Sequence, residues 1–224
     1  MSALNTFDVS DATTRGHLMY WKQCNEQRLS VREDQNHRWL LSDEVIQSVF
    51  VKDQPSALTL PHQVILQTLC PANVEHILHL GLGGGDLLRW CHYRYPDVKQ
   101  TAVELNPDVV NIYQDYFQQQ EQPILVIGDA FQFIAETNAQ FDLIILDVFA
   151  IDGAPAPIFH ANTYLQLKRC LTETGRIIIN LLPRTENERI QVIRLMQQQV
   201  GHVQSLQIAE YRNHLIWSTP ATRT

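Results

Sequence analysis

The sequence lacks a long apolar run and a surplus of basic residues. No segment approaches the roughly 20 apolar residues that a membrane-spanning helix needs. Lys and Arg number 17 against 24 Asp and Glu, which gives a formal net charge of −7. Proteins that bind nucleic acid or anionic lipid through charge alone carry a basic face. We therefore expect neither a nucleic acid nor a membrane as a partner.

The sequence also lacks the Cys and His spacings that hold metal ions. Its four cysteines are scattered, without a CxxC pair, at Cys24, Cys70, Cys91 and Cys170. Neither a zinc site nor a disulfide framework is predicted. The nine histidines include no HxxxH or HExxH motif, so no metal is expected. The polar N-terminus has no signal-peptide pattern, which favours a cytoplasmic protein with free thiols.

The composition, 45% hydrophobic and 18% charged, is typical of a globular protein with a packed core. Residues 1–16 are rich in Ser, Thr, Asp and Asn and are predicted to be a flexible tail. Two β-like runs then flank the polar turn Glu33–Asn36, which indicates a hairpin. We assign it to a short N-terminal β appendage, residues 17–56, followed by the main domain, residues 57–224.

The main domain alternates apolar strands with helices. The predicted strands are HILHL, TAVEL, ILVIG, FDLIILDVF and RIIINLL, and a terminal strand pair, HVQSLQIA and LIWST, follows. A helix is predicted in NTYLQLKRCLTETG, ending at Gly175. Continuous apolar strands that are each followed by a helix indicate a parallel sheet covered on both faces. The predicted fold class is therefore α/β, with a doubly wound, mostly parallel, Rossmann-like sheet.

Acidic residues follow four of the predicted strands. They are Asp86, behind the glycine turn that starts at Gly81, then Glu104, Asp129 and Asp147. In doubly wound sheets ligands bind outside the carboxyl ends of the strands. A single acid in such a place is usually a helix cap or a solvated residue. Four on one edge of the sheet indicate a binding site.

The spacing of these acids favours an adenosine ligand. Glu104 lies about 20 residues beyond the glycine turn, where a carboxylate accepts hydrogen bonds from ribose hydroxyls. The turn has no third spaced glycine for a dinucleotide, and no GKS or GKT supplies a phosphate-binding lysine. Asp129 is placed to accept a hydrogen bond from the amine of adenine. The predicted ligand is a nucleoside without a phosphate chain.

Four motifs together resemble the spermidine synthase family, the polyamine aminopropyltransferases. They are GGGD at 83–86, AVELNP at 102–107, GDAFQF at 128–133 and LDVFAIDGAPAPIFHANTY at 146–164, within a similarity that extends over 47–182. HLGLGGGDLLRW and INLLP look most similar to the bacterial spermidine synthase-like branch. The resemblance implies a class I methyltransferase fold, decarboxylated S-adenosylmethionine as co-substrate, an amine or polyamine acceptor, and a homodimer.

The resemblance also implies roles for single residues. Asp86 would pair with the ammonium of the decarboxylated donor and repel the carboxylate of ordinary S-adenosylmethionine, while Asp147 would be the general base. His62 and Asp152 would contact the amine. The remaining donor-binding residues that it implies are Gln47, Gly81, Gly83, Gly84, Gly85, Glu104, Asp129 and Ala130.

The chain departs from the family pattern at the amine site. Ala150 stands where the family has a second loop aspartate, and Pro61 and Gln63 replace a tyrosine and a glutamate. Two alternatives to aminopropyl transfer therefore stay open. One is an S-adenosylmethionine-dependent methyltransferase, and the other is a non-catalytic relative that binds a nucleoside.

Overall fold

The computed structural model describes residues 7–24, 27–150, 153–209 and 211–219. The described chain contains a four-stranded and a seven-stranded sheet. The small sheet is formed by β1 (His17–Cys24), β2 (Gln27–Glu33), β3 (His37–Ser42) and β4 (Val45–Val51). Each strand is antiparallel to the next along the chain. The predicted hairpin is β2–β3, and β1 and β4 extend it on both sides.

The large sheet has the strand order β10-β11-β9-β8-β5-β6-β7. Its strands are β5 (His76–Leu80), β6 (Lys99–Glu104), β7 (Ile124–Ile127), β8 (Phe141–Leu146), β9 (Leu171–Leu181), β10 (Val203–Gln207) and β11 (His214–Ser218). Strands β5 to β9 are parallel to one another, and β10 and β11 form the antiparallel edge. The chain runs outward from β5 to β7 and then returns to β8 on the other side of β5. The point where the strand order reverses therefore lies between β5 and β8, where ligands bind in this class of sheet.

Helices cover both faces of the large sheet, as the sequence predicted. They are α1 (Pro61–Leu69), α2 (Asp86–Arg94), α3 (Pro107–Ile112), α4 (Ala130–Glu136), α5 (Ala161–Arg169) and α6 (Glu186–Gln199), with a π-helical turn at Tyr113–Phe117 and a 3-10 turn at Ala156–Phe159. Consecutive residues of β8 face different cores. Ile144 packs beneath the α4–α6 layer and Ile145 beneath the α1–α2 layer. Both are almost fully buried, which fits their continuous apolar sequence.

The predicted end of α5 at Gly175 is wrong. The helix ends at Arg169, and β9 already begins at Leu171. The β8–β9 register jumps there, because Phe141 pairs with Leu171 but Leu143 pairs with Arg176. Gly175 lies in this irregular segment, where an added Cβ would meet the Phe141 carbonyl oxygen at 2.8 Å. The glycine thus allows two strands to approach closely and does not cap a helix.

The N-terminal segment packs on the small sheet where the structure describes it. The Phe7 and Trp39 rings lie 5.2 Å apart, and Trp39 Nε1 donates a hydrogen bond to the Ala12 carbonyl oxygen at 2.8 Å. Residues 1–6 of the predicted tail lie outside the described residues. The small sheet also contacts the large domain, since Lys22 Nζ in β1 donates to Asp108 Oδ1 in α3 at 2.7 Å.

All four cysteines are free thiols. In the described ranges, none of the helices has the length and apolar content to cross a membrane.

Candidate functional site

The glycine turn joins β5 to α2 at the centre of the large sheet. Gly81 has φ +99°, and a Cβ placed there would lie 2.2 Å from the Asp147 carbonyl oxygen. Asp147 N in turn donates to the Leu80 carbonyl oxygen at 2.8 Å. The ends of β5 and β8 are therefore in contact, and only glycine leaves room for this contact. The glycine turn and the backbone of Asp147 are therefore adjacent.

The small sheet forms one wall of this turn. Ser48 Oγ accepts a hydrogen bond from Gly84 N at 2.7 Å, and an added Cβ at Gly84 would lie 2.7 Å from Ser48 Cβ. The Gln47 carbonyl oxygen would be 3.7 Å from a Cβ at Gly83. Gln47 therefore lies beside the glycines. The resemblance implies that Gln47 binds the donor, which stays a prediction. Sequence reasoning missed Ser48, for which the sequence offered no signal.

Asp86 lies in the interior of the protein. Its side chain is 1% exposed, and Oδ1 accepts a hydrogen bond from Arg89 Nη2. Oδ2 accepts from Val49 N at 3.1 Å and from Gln63 Nε2 at 3.2 Å. Both carboxylate oxygens thus have protein partners, and Arg89 compensates the charge. Sequence reasoning missed Arg89, although its i+3 position relative to Asp86 was a usable signal.

Glu104 lies at the end of β6, where its carboxylate bridges the glycine turn and α3. Oε2 accepts from Leu82 N at 3.1 Å, and Oε1 accepts from Asn106 N at 2.9 Å. Burial raises the pKa of Glu104, and these backbone N–H groups act in the opposite direction. The backbone thereby fixes the orientation of the carboxylate.

Two exposed apolar side chains flank Glu104, and sequence reasoning missed both. Leu105 is 68% exposed, and Ile127, which pairs with Glu104 across β6 and β7, is 58% exposed. Exposed apolar surface therefore borders Glu104 on its own strand end and on β7.

Asp129 caps α4. Its Oδ1 accepts from Phe131 N at 2.7 Å and from Gln132 N at 2.9 Å, and Ala130 begins the helix. The residue is exposed at the end of β7, on the same edge as Glu104. Oδ1 thus has a structural role, and Oδ2 has no hydrogen-bond partner among the described residues.

Asp147 is held by a chain of two asparagines. Its Oδ1 accepts from Asn180 Nδ2 at 2.8 Å, and Asn180 Oδ1 accepts from Asn213 Nδ2 at 3.0 Å. Burial raises the pKa of Asp147, while nearby His62 and the Asn180 hydrogen bond oppose the rise. Asn180 was missed, although a polar residue within the apolar run of β9 could have indicated it. Asn213 carried no comparable signal.

His62 lies in the first turn of α1, close enough to Asp147 and Asp86 to interact with both charges. Burial lowers the pKa of His62, and the two carboxylates oppose this. The structure therefore brings His62 and Asp147 to one place. Asp152, the other predicted amine contact, lies outside the described residues. Among the described side chains, no three His, Cys, Asp or Glu residues cluster closely enough to hold a metal ion.

A family model described as the spermine/spermidine synthase domain matches residues 60–216, well over half of the chain. The chain belongs to this family.

Relatives of this spermidine synthase-like chain include two kinds of transferase. The chain is 27% identical over 159 residues to a polyamine aminopropyltransferase of Neisseria meningitidis, a match that covers 68% of the chain and 60% of that relative. It is 28% identical over 154 residues to an eEF1A lysine and N-terminal methyltransferase homolog of Drosophila melanogaster, covering 64% of the chain and 23% of the relative. The chain thus spans less than two thirds of either protein.

Solved structures confirm the fold. A probable spermidine synthase from Corynebacterium glutamicum superimposes with a TM-score of 0.75 at 19% identity, covering 92% of this chain and 80% of that one. A spermidine synthase in complex with the transition-state analogue AdoDATO gives a TM-score of 0.65 at 16% identity, covering 89% and 71%. The predicted α/β fold with a mostly parallel sheet is therefore confirmed, and the predicted hairpin forms part of the small antiparallel sheet.

Proposed function

We propose that the chain transfers an aminopropyl group from decarboxylated S-adenosylmethionine to an amine. The observation that carries this proposal is the position of Asp147. Its carboxylate lies at the point where the strand order reverses, beside the glycine turn, with a raised pKa and a fixed orientation. Membership of the spermine/spermidine synthase family supports the same reaction class.

The donor nucleoside would bind at the ends of β6 and β7. Glu104, oriented by Leu82 N and Asn106 N, would accept hydrogen bonds from the two ribose hydroxyls. Leu105 and Ile127 would pack against the adenine, and Asp129 Oδ2 would accept from its amine. This arrangement would leave the sulfonium near Gly81 and Asp147. Gln47, Gly83, Gly84, Gly85 and Ala130 would complete the donor site from the glycine turn and α4.

The reaction needs a base and no acid. An aliphatic amine with a pKa of about 10 is mostly protonated at neutral pH. Asp147 would remove the proton. The amine nitrogen would then form a bond to the carbon of the aminopropyl group that is attached to sulfur. The bond between this carbon and sulfur breaks, its electron pair goes to sulfur, and a neutral thioether leaves. A carboxylate with a raised pKa is a stronger base for this step, and the fixed positions of both reactants contribute further.

His62 would orient the attacking amine. Its lowered pKa favours the neutral imidazole, which accepts a hydrogen bond and does not repel an ammonium. Asp152 stays a predicted contact of the amine. The cytoplasmic location and the homodimer also stay predictions.

Methyl transfer from ordinary S-adenosylmethionine is a second candidate, and the pairing of Asp86 favours it. The Asp86 charge is compensated by Arg89, so it would repel a donor carboxylate much less than an unpaired acid would. The methyltransferase among the relatives supports this candidate as well.

Calorimetric titration with the two donors in parallel separates these candidates. Aminopropyl transfer predicts tighter binding of the decarboxylated donor, and a preference for ordinary S-adenosylmethionine would reject it. Glu104→Gln should weaken the binding of both donors alike, because both contain the ribose that Glu104 would contact. Glu136→Gln, at the other end of α4 from Asp129, is the matched control and should change neither.

A further inference from the structure

Consecutive glycines form the turn between β5 and α2, and neighbouring residues hold their conformation. Gly83 and Gly85 have φ angles of +55° and +72°. Glycine has more conformational freedom than any other residue, and it has no side chain that could fix a turn by its own packing. The groups around the turn must therefore fix the shape that a bound donor would meet.

Two aromatic rings of the π-helical turn are among these groups. A Cβ added at Gly85 would lie 2.7 Å from Tyr113 Cδ2, and a Cβ added at Gly84 would lie 3.2 Å from Phe117 Cδ1. Both aromatic side chains are fully buried. Short π-helical segments occur frequently at functional sites. The two rings pack directly against the backbone of the glycine turn.

Glu121 holds the Tyr113 ring through its hydroxyl. The segment 118–122, QQQEQ, has the sequence of a polar loop, yet Glu121 is only 1% exposed. Its Oε1 accepts a hydrogen bond from the Tyr113 hydroxyl at 2.9 Å, and both carboxylate oxygens accept from Gln119 N at 3.3 Å. Burial and the charge of Glu121 raise the pKa of Tyr113, so the hydroxyl keeps its proton and remains a donor.

The Glu121 carboxylate serves this tyrosine and not a salt bridge. Within the described ranges no cation forms an ion pair with Glu121, and the Tyr113 hydroxyl is the only side-chain group that donates to its carboxylate. A buried carboxylate costs free energy unless hydrogen bonds compensate it. A hydrogen bond to a charged acceptor is also shorter and stronger than one to a neutral acceptor. The pair therefore fixes the position of the Tyr113 ring firmly.

Hydrogen bonds connect Gly85 to Glu104. Gly85 N donates to the Leu82 carbonyl oxygen at 3.0 Å, and Leu82 N donates to Glu104 Oε2 at 3.1 Å. Glu104 is the carboxylate that would accept hydrogen bonds from the ribose hydroxyls. A displaced Tyr113 ring would move the backbone at Gly85, and this movement would reach Glu104 through Leu82.

We propose that Glu121 is a positioning residue, which through the Tyr113 ring fixes the glycine turn and thereby the orientation of Glu104 toward the ribose of a bound nucleoside. The inference rests on the proposed function, because it takes Glu104 as the carboxylate that contacts the ribose. Glu121 itself would touch no ligand.

Two nucleosides test this role. Calorimetry measures the binding of 5′-methylthioadenosine, the thioether product, and of its 2′,3′-dideoxy analogue, which lacks both ribose hydroxyls. The wild-type protein should bind the first compound at least about 10-fold more tightly, the gain expected of hydrogen bonds to a charged acceptor.

Tyr113→Phe removes only the hydroxyl that Glu121 holds. It should weaken the binding of 5′-methylthioadenosine about 5-fold, within the range of indirect couplings, and leave the binding of the analogue unchanged. A general loss of folded structure would instead weaken the binding of both compounds alike. Tyr116→Phe is the matched control, because it removes a hydroxyl from the same π-helical turn while its ring packs 5.9 Å from the Tyr20 ring of the small sheet. It should alter neither affinity.

A double variant separates positioning from stability. Tyr113→Phe leaves the buried charge of Glu121 with one donor fewer, so it should lower the stability to urea. Adding Glu121→Gln removes the charge and keeps an acceptor for Gln119 N, so the double variant should regain part of that stability. Its affinity for 5′-methylthioadenosine should stay as low as that of Tyr113→Phe, because the ring is still not held. Recovery of this affinity together with the stability would overturn the inference.

Three further results would also overturn it. They are an unchanged affinity of Tyr113→Phe for 5′-methylthioadenosine, an equal loss for both nucleosides, and a wild-type protein that binds neither compound.

Assays of turnover distinguish this inference from the proposed function. If the nucleosides bind as expected but no aminopropylated product forms with any amine, aminopropyl transfer is rejected while the positioning role stands. If product forms and Tyr113→Phe binds 5′-methylthioadenosine as the wild type does, the transfer stands and the positioning role is rejected.

Discussion

At the scale of single residues, Asp147 carries the proposed chemistry. Replacing it with Asn keeps the shape and the Asn180 contact but removes the base. Asp147→Asn should therefore lower turnover by at least about 100-fold and leave donor affinity nearly unchanged. Steady-state kinetics and calorimetry measure the two effects.

Asp115→Asn, at an exposed position of the π-helical turn, is the control for the loss of one carboxylate. It should have wild-type turnover. Full activity of Asp147→Asn would remove this residue from the mechanism.

Asn180 affects the pKa of the Asp147 carboxylate. Its Nδ2 stabilises the ionised form of Asp147, so Asn180→Leu should raise the pKa of Asp147 further. Because a base acts only when deprotonated, the acidic limb of kcat against pH should move to higher pH. Asn187→Leu, at an exposed position in α6, should leave the profile in place. A limb that stays fixed or moves to lower pH in Asn180→Leu would contradict this role.

The positions of the acids were predictable, but their partners were not. Strand-end location placed Glu104, Asp129 and Asp147 on one edge of the sheet. The sequence could not show that Asp129 Oδ1 caps a helix or that the small sheet contacts Asp86, because such contacts depend on tertiary packing. Whether Asp86 contacts a ligand stays a prediction.

At the scale of elements, the Asp86–Arg89 pair connects α2 to its surroundings. The Arg89 side chain is 2% exposed and also donates to the Gly84 and Phe117 carbonyl oxygens. Arg89→Met would leave Asp86 charged and buried, which should cost about 3–5 kcal/mol in the free energy of unfolding. Urea denaturation measures the loss.

A second variant separates two causes of the lost stability, the unpaired charge of Asp86 and the lost side-chain contacts of Arg89. Asp86→Leu combined with Arg89→Met should recover part of the stability, because no unpaired charge remains. Lys22→Met breaks the exposed pair with Asp108 and should cost less than about 1 kcal/mol. An Arg89 effect no larger than that of Lys22 would show that the buried pair contributes little.

The junction of β5 and β8 depends on Gly81. Gly81→Ala forces a side chain into a positive φ and against the Asp147 carbonyl oxygen, so it should destabilise the fold by more than about 1 kcal/mol. Gly128→Ala has no atom within 4 Å of the added Cβ and should be nearly neutral. Equal stability of the two variants in urea would contradict the close contact.

Strand and helix types were readable from apolar periodicity, whereas boundaries and edge strands were not. Strand β1, which includes the exposed Trp21, has no consistently buried face. Its apolar periodicity therefore gave no signal. The end of α5 was misplaced because Gly175 matches a helix stop as well as it matches a strand irregularity. Only the position of β8 decides between them.

At the scale of the whole molecule, the two sheets meet at the glycine turn. The large sheet brings Glu104, Asp129 and Asp147 to one edge, and the small sheet contacts the glycine turn through Ser48. The α/β order and the parallel sheet followed from the sequence. The contact between the two sheets did not, because no local pattern encodes it.

The most direct test is the identity of the nucleoside product. The protein is incubated with each donor and a mixture of amines, and products are analysed by mass spectrometry. Aminopropyl transfer predicts 5′-methylthioadenosine and an amine that has gained an aminopropyl group, formed from the decarboxylated donor. Formation of S-adenosylhomocysteine from ordinary S-adenosylmethionine, or no product from either donor, would contradict it.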